Sequence, residues 1–423
     1  MIEWTDPSVF EAAIREVETL EKGNFAEAFS EGDRIEHEPG LRLSRWGNEA
    51  WMSQTLNHDP AYWRTAGSTM HDADAPPIHP DYLLATTLGA TVEDLSEKGG
   101  YFLGRTDVRF PGHPVELGTE LTVASEVRSV ERSRSRPEYA IVTWRTNGRD
   151  AATDELLCSY ERTNMIPRRP DAADVATEEA SDELDADSSG DERQEPDAGD
   201  GSADLESASK SPSLGPFVTP AGPYFEDFVA AVGEAASTDG TVAYQHERGR
   251  TLDDVTVTSL PLATLNTAKQ HHNADAMAET PSGGVVAYGD VTRSIALAHA
   301  RSDEVTLREV GYEDESFHTF VRPGDTIYTF TRVLDVGPTL GADVLDSTVD
   351  GPPLDAVIES ASVDADEREP DARRERRGDD AAVAGVVRFQ HIAYNQRDRP
   401  VYSGSRTALI ATRRDERTRT IHQ

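Results

Sequence analysis

Cysteine is nearly absent from this chain. Cys158 stands alone in 423 residues, which excludes an intrachain disulfide and any metal site built on several cysteines. Lysine is almost as scarce: Lys22, Lys98, Lys210 and Lys269 are all there are, and arginine supplies the remaining positive charge. Long apolar runs are missing too. No stretch approaches the roughly 18 apolar residues that a membrane-crossing helix needs. The N-terminal stretch MIEWTDPSVFEAAIREVETLEKGNF is acidic and has no apolar signal core. The expectation is a cytoplasmic protein without a membrane partner.

What is abundant is negative charge. Asp and Glu number 78 against 41 Lys and Arg, giving a net charge of −37 and a pI near 4.6. Such a surface repels phosphate, so nucleic acid is excluded as a ligand. Dense carboxylate with so little lysine resembles proteins of extreme halophiles. In concentrated salt the Debye length falls to roughly 3 Å or less and self-repulsion is screened. The acidity then reports the environment and says nothing about a substrate.

The chain is long enough for two domains, each with its own core, and its patterns occur twice. Gly23 to Phe29 and Gly222 to Phe228 share a Gly-x-aromatic-x-Glu-x-Phe spacing. Val108-Arg109-Phe110 leads through a Gly turn to a strand over Thr122 to Val127. Ser316-Phe317-His318 leads likewise to a strand over Tyr328 to Val333. Each half closes on a hairpin, Glu138 to Thr146 with Leu156 to Met165, and Val386 to Asn395 with Val401 to Thr412. One apolar helix precedes each set of strands, Tyr82 to Leu88 and Asp290 to Ala300. Residues 1–22 read as a further helix, capped by Thr5 or Asp6, with Pro7 in its first turn and Phe10, Ile14, Val17 and Leu20 on one face.

The domains expected are 1–169, with the leading helix, and 215–423. Between them, 170–214 is rich in Asp, Glu, Ser, Ala and Gly and almost free of aromatics, the composition of a disordered linker. A second acidic stretch, about 341–380, reads as a surface insertion of low order.

The chemistry is expected between Leu262 and Ala300. Asn266, His271, His272 and Asn273 crowd together there, followed by a Thr-Pro-Ser-Gly-Gly loop and a Tyr288-Gly289-Asp290 turn that opens a helix. Polar side chains able to hold a water thus precede a glycine at a helix start, where free N–H groups can receive an oxyanion.

One helix wrapped by an antiparallel sheet, occurring twice, resembles the α+β double hotdog fold of the MaoC-like, type 2 enoyl-CoA hydratases. Their motif has the form Asp-x-Asn-Pro-Leu-His, then a Thr-Pro loop, then a His-Gly turn starting the central helix. Counted back from Thr280-Pro281, the motif Asp falls on Asn266, its His on His271 and the His-Gly turn on Tyr288-Gly289. Within that family the run Asn266 to His271, with Asn273 and Tyr288-Gly289, is similar to mesaconyl-CoA (2-methylfumaryl-CoA) hydratases. Trp51 to Trp63 resembles their haloarchaeal branch.

The resemblance implies hydration of an α,β-unsaturated acyl-CoA, with no redox cofactor and no metal. His271 would transfer the proton, Asn266 (an amide where the family has a carboxylate) would orient water or the imidazole, and Gly289 would donate its N–H to the oxyanion. In the first half Asn57, Asp59 and Tyr62 occupy the corresponding motif, and His79-Pro80 stands where His-Gly should be. Proline has no amide hydrogen, so this half is expected to shape the ligand. Asn57, Asp59, Tyr62, His79, Asn273 and Tyr288 are thus candidate substrate contacts. The free carboxylate of a mesaconyl group calls for an arginine, for which Arg293, Arg105 and Arg109 are candidates. A homo-oligomer is expected. Alternatives are a broader (R)-specific enoyl-CoA hydratase, a hotdog acyl-CoA thioesterase using the same oxyanion site, a non-catalytic CoA-binding scaffold, and a dyad of His58 with Asp59 in the first half.

Overall fold

The computed structural model describes residues 2–65, 75–111, 114–170, 214–341 and 382–413. The expected linker and insertion fall outside them except at their edges. Within the described residues the strands form one sheet. In the first half these are β1 (Arg34–Arg42), β2 (Tyr101–Arg109), β3 (Glu120–Arg132), β4 (Tyr139–Asp150) and β5 (Leu156–Pro167). In the second they are β6 (Phe217–Val218), β7 (Thr241–Gln245), β8 (Arg250–Thr251), β9 (Thr306–Phe317), β10 (Thr326–Gly341), β11 (Ala382–Asn395) and β12 (Pro400–Ala411). The order β1-β3-β4-β5-β2-β9-β12-β11-β10-β7-β6, with β8 on β10, nearly reads the same from either end. The halves join where β2 pairs antiparallel with β9, Arg105 opposite Glu315.

Alternation sets the strands. Along β4 every second residue from Ala140 to Gly148 is buried, the period that a one-sided sheet imposes. The buried face closes over two central helices, Pro80–Gly89 and Gly289–Arg301. Every residue of the first is buried, and all of the second from Asp290 onward, as expected of helices enclosed on all sides. This is a double hotdog.

The duplication extends to details. Phe29 meets Trp144 edge-on at 5.4 Å, and Phe228 meets Phe389 in the same way at 5.4 Å. His37 bridges Asp94 and Ser125 as His246 bridges Asp303 and Thr331. Two unforeseen helices, Arg45–Gln54 and Asp254–Ala263, occupy matching places, capped by the side chains of Ser44 and Asp253. Each is followed by a leucine in the left-handed region, Leu56 at φ 61° and Leu265 at φ 62°. Leucine adopts that conformation only against a steric cost, so its recurrence marks a turn that both halves need.

The N-terminal helix departs from expectation. It spans Pro7–Glu16 with Asp6 as its cap, and Val17 beyond it is extended. Phe10, Ile14, Val17 and Leu20 are all exposed, so the apolar stripe packs on nothing among the described residues. No described helix is long and apolar enough to cross a membrane.

An ion-pair network seals the junction of the halves. Arg105 reaches Asp290 at 2.6 Å and Glu315 at 2.7 Å. Arg293 lies 3.0 Å from Asp81 and 3.1 Å from Asp290. Arg301 joins Asp81 to Glu309, and Arg406 joins Glu309 to Glu304. All nine residues are buried. Charges so enclosed are tolerated only because each faces an opposite one.

Candidate active site

The turn at Leu265 delivers Asn266 into the interior, where its Oδ1 accepts the Ala268 N–H at 3.1 Å. One 3-10 turn, Lys269–His271, then brings His271 inward, 3% exposed. The His271 Nδ1 lies 2.9 Å from the carbonyl oxygen of Val286. A carbonyl can only accept, so Nδ1 carries the ring proton and Nε2 keeps its lone pair. Burial pulls the His271 pKa down to about 4, and the imidazole is neutral at pH 7.

Tyr288 stands 5.5 Å from the His271 ring and precedes the second central helix. Its hydroxyl donates to the Ala85 carbonyl of the first central helix at 3.0 Å, which ties the site to both halves. Gly289 opens the helix, and a Cβ there would come within 2.7 Å of the Phe317 ring. Phe317 in turn meets Phe102 of β2 at 5.2 Å. Tyr288 makes no side-chain cap, and N–H groups of a first turn have no intrahelical acceptor. The imidazole and the helix N-terminus thus meet around Tyr288, and two phenylalanines wall the helix start.

The first half builds the same loop with different chemistry. Asn57 is buried, accepts the Asp59 N–H at 3.1 Å, and lies 2.7 Å from His79 Nε2. Tyr62 packs edge-on to His79 at 4.4 Å. The imidazole and the phenol have therefore exchanged places: Tyr62 and His79 here, His271 and Tyr288 in the second half. His79 Nδ1 accepts the Asp81 N–H at 3.0 Å, and burial drives its pKa to about 3. The next residue, Pro80, has no amide hydrogen to offer an oxyanion. Asp59 caps the short helix Pro60–Trp63 through the Ala61 N–H. Its pKa is raised to about 6, by burial above all. His58 is exposed while Asp59 is turned to its cap, so they form no dyad.

Residues 3–349 and 363–412 match the sequence profile of the family described as Mesaconyl-CoA hydratase. The chain belongs to the mesaconyl-CoA hydratase family. It is 50% identical over 419 residues to a Mesaconyl-CoA hydratase of Haloarcula marismortui, covering 97% of this chain and 99% of that one. A Mesaconyl-CoA hydratase of Haloarcula hispanica is 49% identical over the same coverage. Among solved structures, a putative MaoC domain protein dehydratase from Chloroflexus aurantiacus shares the fold, with a TM-score of 0.64 and 17% identity over 92% of this chain and 98% of that one. A Mycobacterium tuberculosis protein described as a double hotdog aligns at a TM-score of 0.60 and 17% identity, over 92% of this chain and 98% of its own.

Within this member of the mesaconyl-CoA hydratase family, other candidate residues stand apart from the imidazole. Asn273 is half-buried and caps the helix Ala274–Met277 through the Ala276 N–H at 3.0 Å. His272 is exposed and bonds the Thr267 carbonyl. Arg105 and Arg293 both belong to the buried network: Arg105 grips Asp290 and Glu315, while Arg293 lies against Asp81 and Asp290 but keeps its Nη1 without a hydrogen-bond partner among the described residues. Arg109 pairs with Asp107 and Glu313 at the outer face. Two cavities of about 260 and 510 Å³ open elsewhere, by Thr106 and Thr163 and by His318 and Arg399.

Sequence reading missed the walls of the site. Phe102 and Phe317 carry no motif, and neither does Glu97, which accepts from the Thr267 hydroxyl at 2.6 Å and pins the motif loop to the first half. Their pairing spans the two halves, and only the folded chain brings it about.

Proposed function

We propose that this chain adds water across the double bond of mesaconyl-CoA to give β-methylmalyl-CoA, with the second half supplying the chemistry. The observation that carries the reading is the neutral His271, whose Nδ1 proton is donated to the Val286 carbonyl and whose Nε2 remains an acceptor, met only by the long 3.4 Å contact of the Gln270 amide that water would replace. Water bound at Nε2 loses its proton as its oxygen attacks the β-carbon. Electron density moves to the thioester oxygen, which the N-terminus of the helix beginning at Gly289 stabilises. The imidazolium then returns the proton to the α-carbon. A histidine with a pKa near 4 is a weak base, but charge developing on the enolate and the substrate's own carboxylate favour its protonated form. Asn266 orients the water. Gly289 is glycine because the Phe317 ring covers the place of a Cβ.

The names of the relatives support the substrate. Asn57, Tyr62, His79 and Pro80 of the first half hold and shape the ligand, since His79 is kept neutral and Pro80 has no N–H. A second reading rests on Asp59, whose pKa near 6 suits an acid–base group. The dense acidity further supports work in a salt-rich cytoplasm, where this reaction fits acetate assimilation through the methylaspartate cycle, and a homo-oligomeric state is proposed. Purified protein in molar KCl should consume the enoyl absorbance of mesaconyl-CoA faster than that of crotonyl-CoA, without releasing thiol. Thiol release at equal rate would instead make it a thioesterase.

A further inference from the structure

Every arginine of the central network faces carboxylates; Arg162, outside it, has no ion pair among the described residues. Arg162 on β5 is 1% exposed, and its Nε and Nη2 have no hydrogen-bond partner among the described residues. Its environment is read best against its counterpart. Arg162 lies in register with Trp144 and stacks on it at 5.3 Å; Arg406 lies in register with Phe389 and stacks at 5.4 Å. Arg406 is neutralised by Glu304 and Glu309. The matching places around Arg162 hold Leu95, which follows Asp94 as Glu304 follows Asp303, and Phe102, opposite Asn164 as Glu309 is opposite Ala408. The first half has the cation without either anion. Burial depresses the Arg162 pKa, yet a guanidinium does not shed its proton in a protein. An uncompensated charge in such a place calls for an anion from outside the chain.

Position and chemistry name that anion. Two more buried polar atoms beside Arg162 are without partners among the described residues, Asn164 Oδ1 and Trp144 Nε1. Across the next strand pairing, Arg162 and Asn164 sit opposite Arg105 and Phe102. Arg105 grips Asp290 in the first turn of the second central helix, and Phe102 packs on the Phe317 that covers Gly289. The charge of Arg162 also acts on Tyr288 and Asp290. The lone cation therefore stands behind the helix start where the thioester oxygen is received. On the hydratase reading above, the β-carbon attacked by water bears a free carboxylate. We propose that Arg162, with the Trp144 indole N–H beside it, binds that carboxylate and makes the enzyme selective for a dicarboxylic acyl thioester.

The test compares mesaconyl-CoA with 2-methylcrotonyl-CoA, in which a methyl group replaces the carboxylate. Arg162→Gln should lower kcat/KM for mesaconyl-CoA at least 100-fold and change that for 2-methylcrotonyl-CoA less than 10-fold. Leu95→Glu restores to Arg162 the internal carboxylate that Arg406 has, and should erase the preference without lowering the melting temperature. A folded Arg162→Gln or Leu95→Glu protein that keeps the wild-type ratio of the two substrates overturns the proposal. Calorimetry with two unreactive thioesters, methylsuccinyl-CoA and 2-methylbutyryl-CoA, decides the case where turnover is absent or a variant does not fold. Wild type that binds both equally refutes the role of Arg162. Wild type that prefers methylsuccinyl-CoA but hydrates no mesaconyl-CoA refutes the hydratase reading alone.

Discussion

Replacing His271 tests the reaction at its centre. The side chain donates Nδ1–H to the Val286 carbonyl at 2.9 Å, its Nε2 lies 3.4 Å from the Gln270 amide nitrogen, and its ring is nearly fully buried. Its loss to alanine leaves that carbonyl unsatisfied at a cost of about 1–3 kcal/mol in stability, so the assay must be run well below the melting temperature of the variant. Loss of a general acid–base group lowers kcat by roughly 10²–10⁴, about 3–5 kcal/mol on the barrier, while KM should change less. The pH profile supplies a second reading. With a pKa of about 4 in the free enzyme, the acid limb of kcat/KM should fall only as pH drops toward 4. Asn266→Asp sets a carboxylate in the motif that holds the imidazole, favours imidazolium, and should move this limb upward. The sign follows from charge alone: an anion stabilises the cationic form and raises its pKa. Near-normal turnover in His271→Ala, together with its abolition in Asp59→Asn, would refute this assignment and move the chemistry to the first half.

Four further outcomes can be measured. Because burial lowers His271 to about 4 and His79 to about 3 from an ordinary 6.5, the unfolded chain binds more protons below pH 6.5. Stability should be complete above that pH and fall as acid is added toward pH 3, which urea titrations from pH 7 to 4 will show or deny. Arg293→Met leaves Asp81, Asp290 and Glu315 short of a cation and should cost about 3–5 kcal/mol, so an unchanged melting temperature would contradict the network's role. Gly289→Pro and Gly289→Ala both set a Cβ against the Phe317 ring, but only proline removes the N–H, so kcat of the proline variant should fall roughly 10²–10³ below that of the alanine variant through loss of one oxyanion donor; equal activity of the two would exclude that N–H. Dilution from molar KCl should unfold the protein as carboxylate repulsion is unscreened, and a melting temperature independent of salt would remove the halophilic reading.

The fold was legible in the sequence where period and punctuation decide structure. The hairpins of both halves and the two central helices follow from alternation, from apolar runs and from residues such as His79-Pro80 and Tyr288-Gly289. Legibility ended where tertiary context overrides pattern. The apolar stripe of the N-terminal helix reads as a buried face, yet Phe10 and Ile14 are exposed. Arg293 reads as a cation on an apolar helix near the site, and so as a ligand for a carboxylate. Its partners Asp81 and Glu315 come from distant elements, and nothing local predicts them. Arg162 carries no motif that singles it out, and the folded chain is what shows it turned inward with Cys158, Tyr160 and Asn164.

Comparison of the halves explains why a duplicated chain needs one site. At each motif the loop geometry is kept, down to the left-handed leucine, while the groups that move protons are rearranged. The second half puts imidazole at the motif and glycine at the helix start; the first puts phenol at the motif and proline at the helix start. Behind each helix start the buried arginine is kept, but it is balanced in the second half and unbalanced in the first. Balanced charge holds the fold together, and unbalanced charge awaits a ligand. Because Arg162 of the first half faces the helix start of the second, loss of catalytic groups from one half and loss of carboxylates around its arginine serve the same site. On the proposed reading the first half is the wall that selects the substrate, and for that reason neither half alone should discriminate between a dicarboxylic and a monocarboxylic thioester.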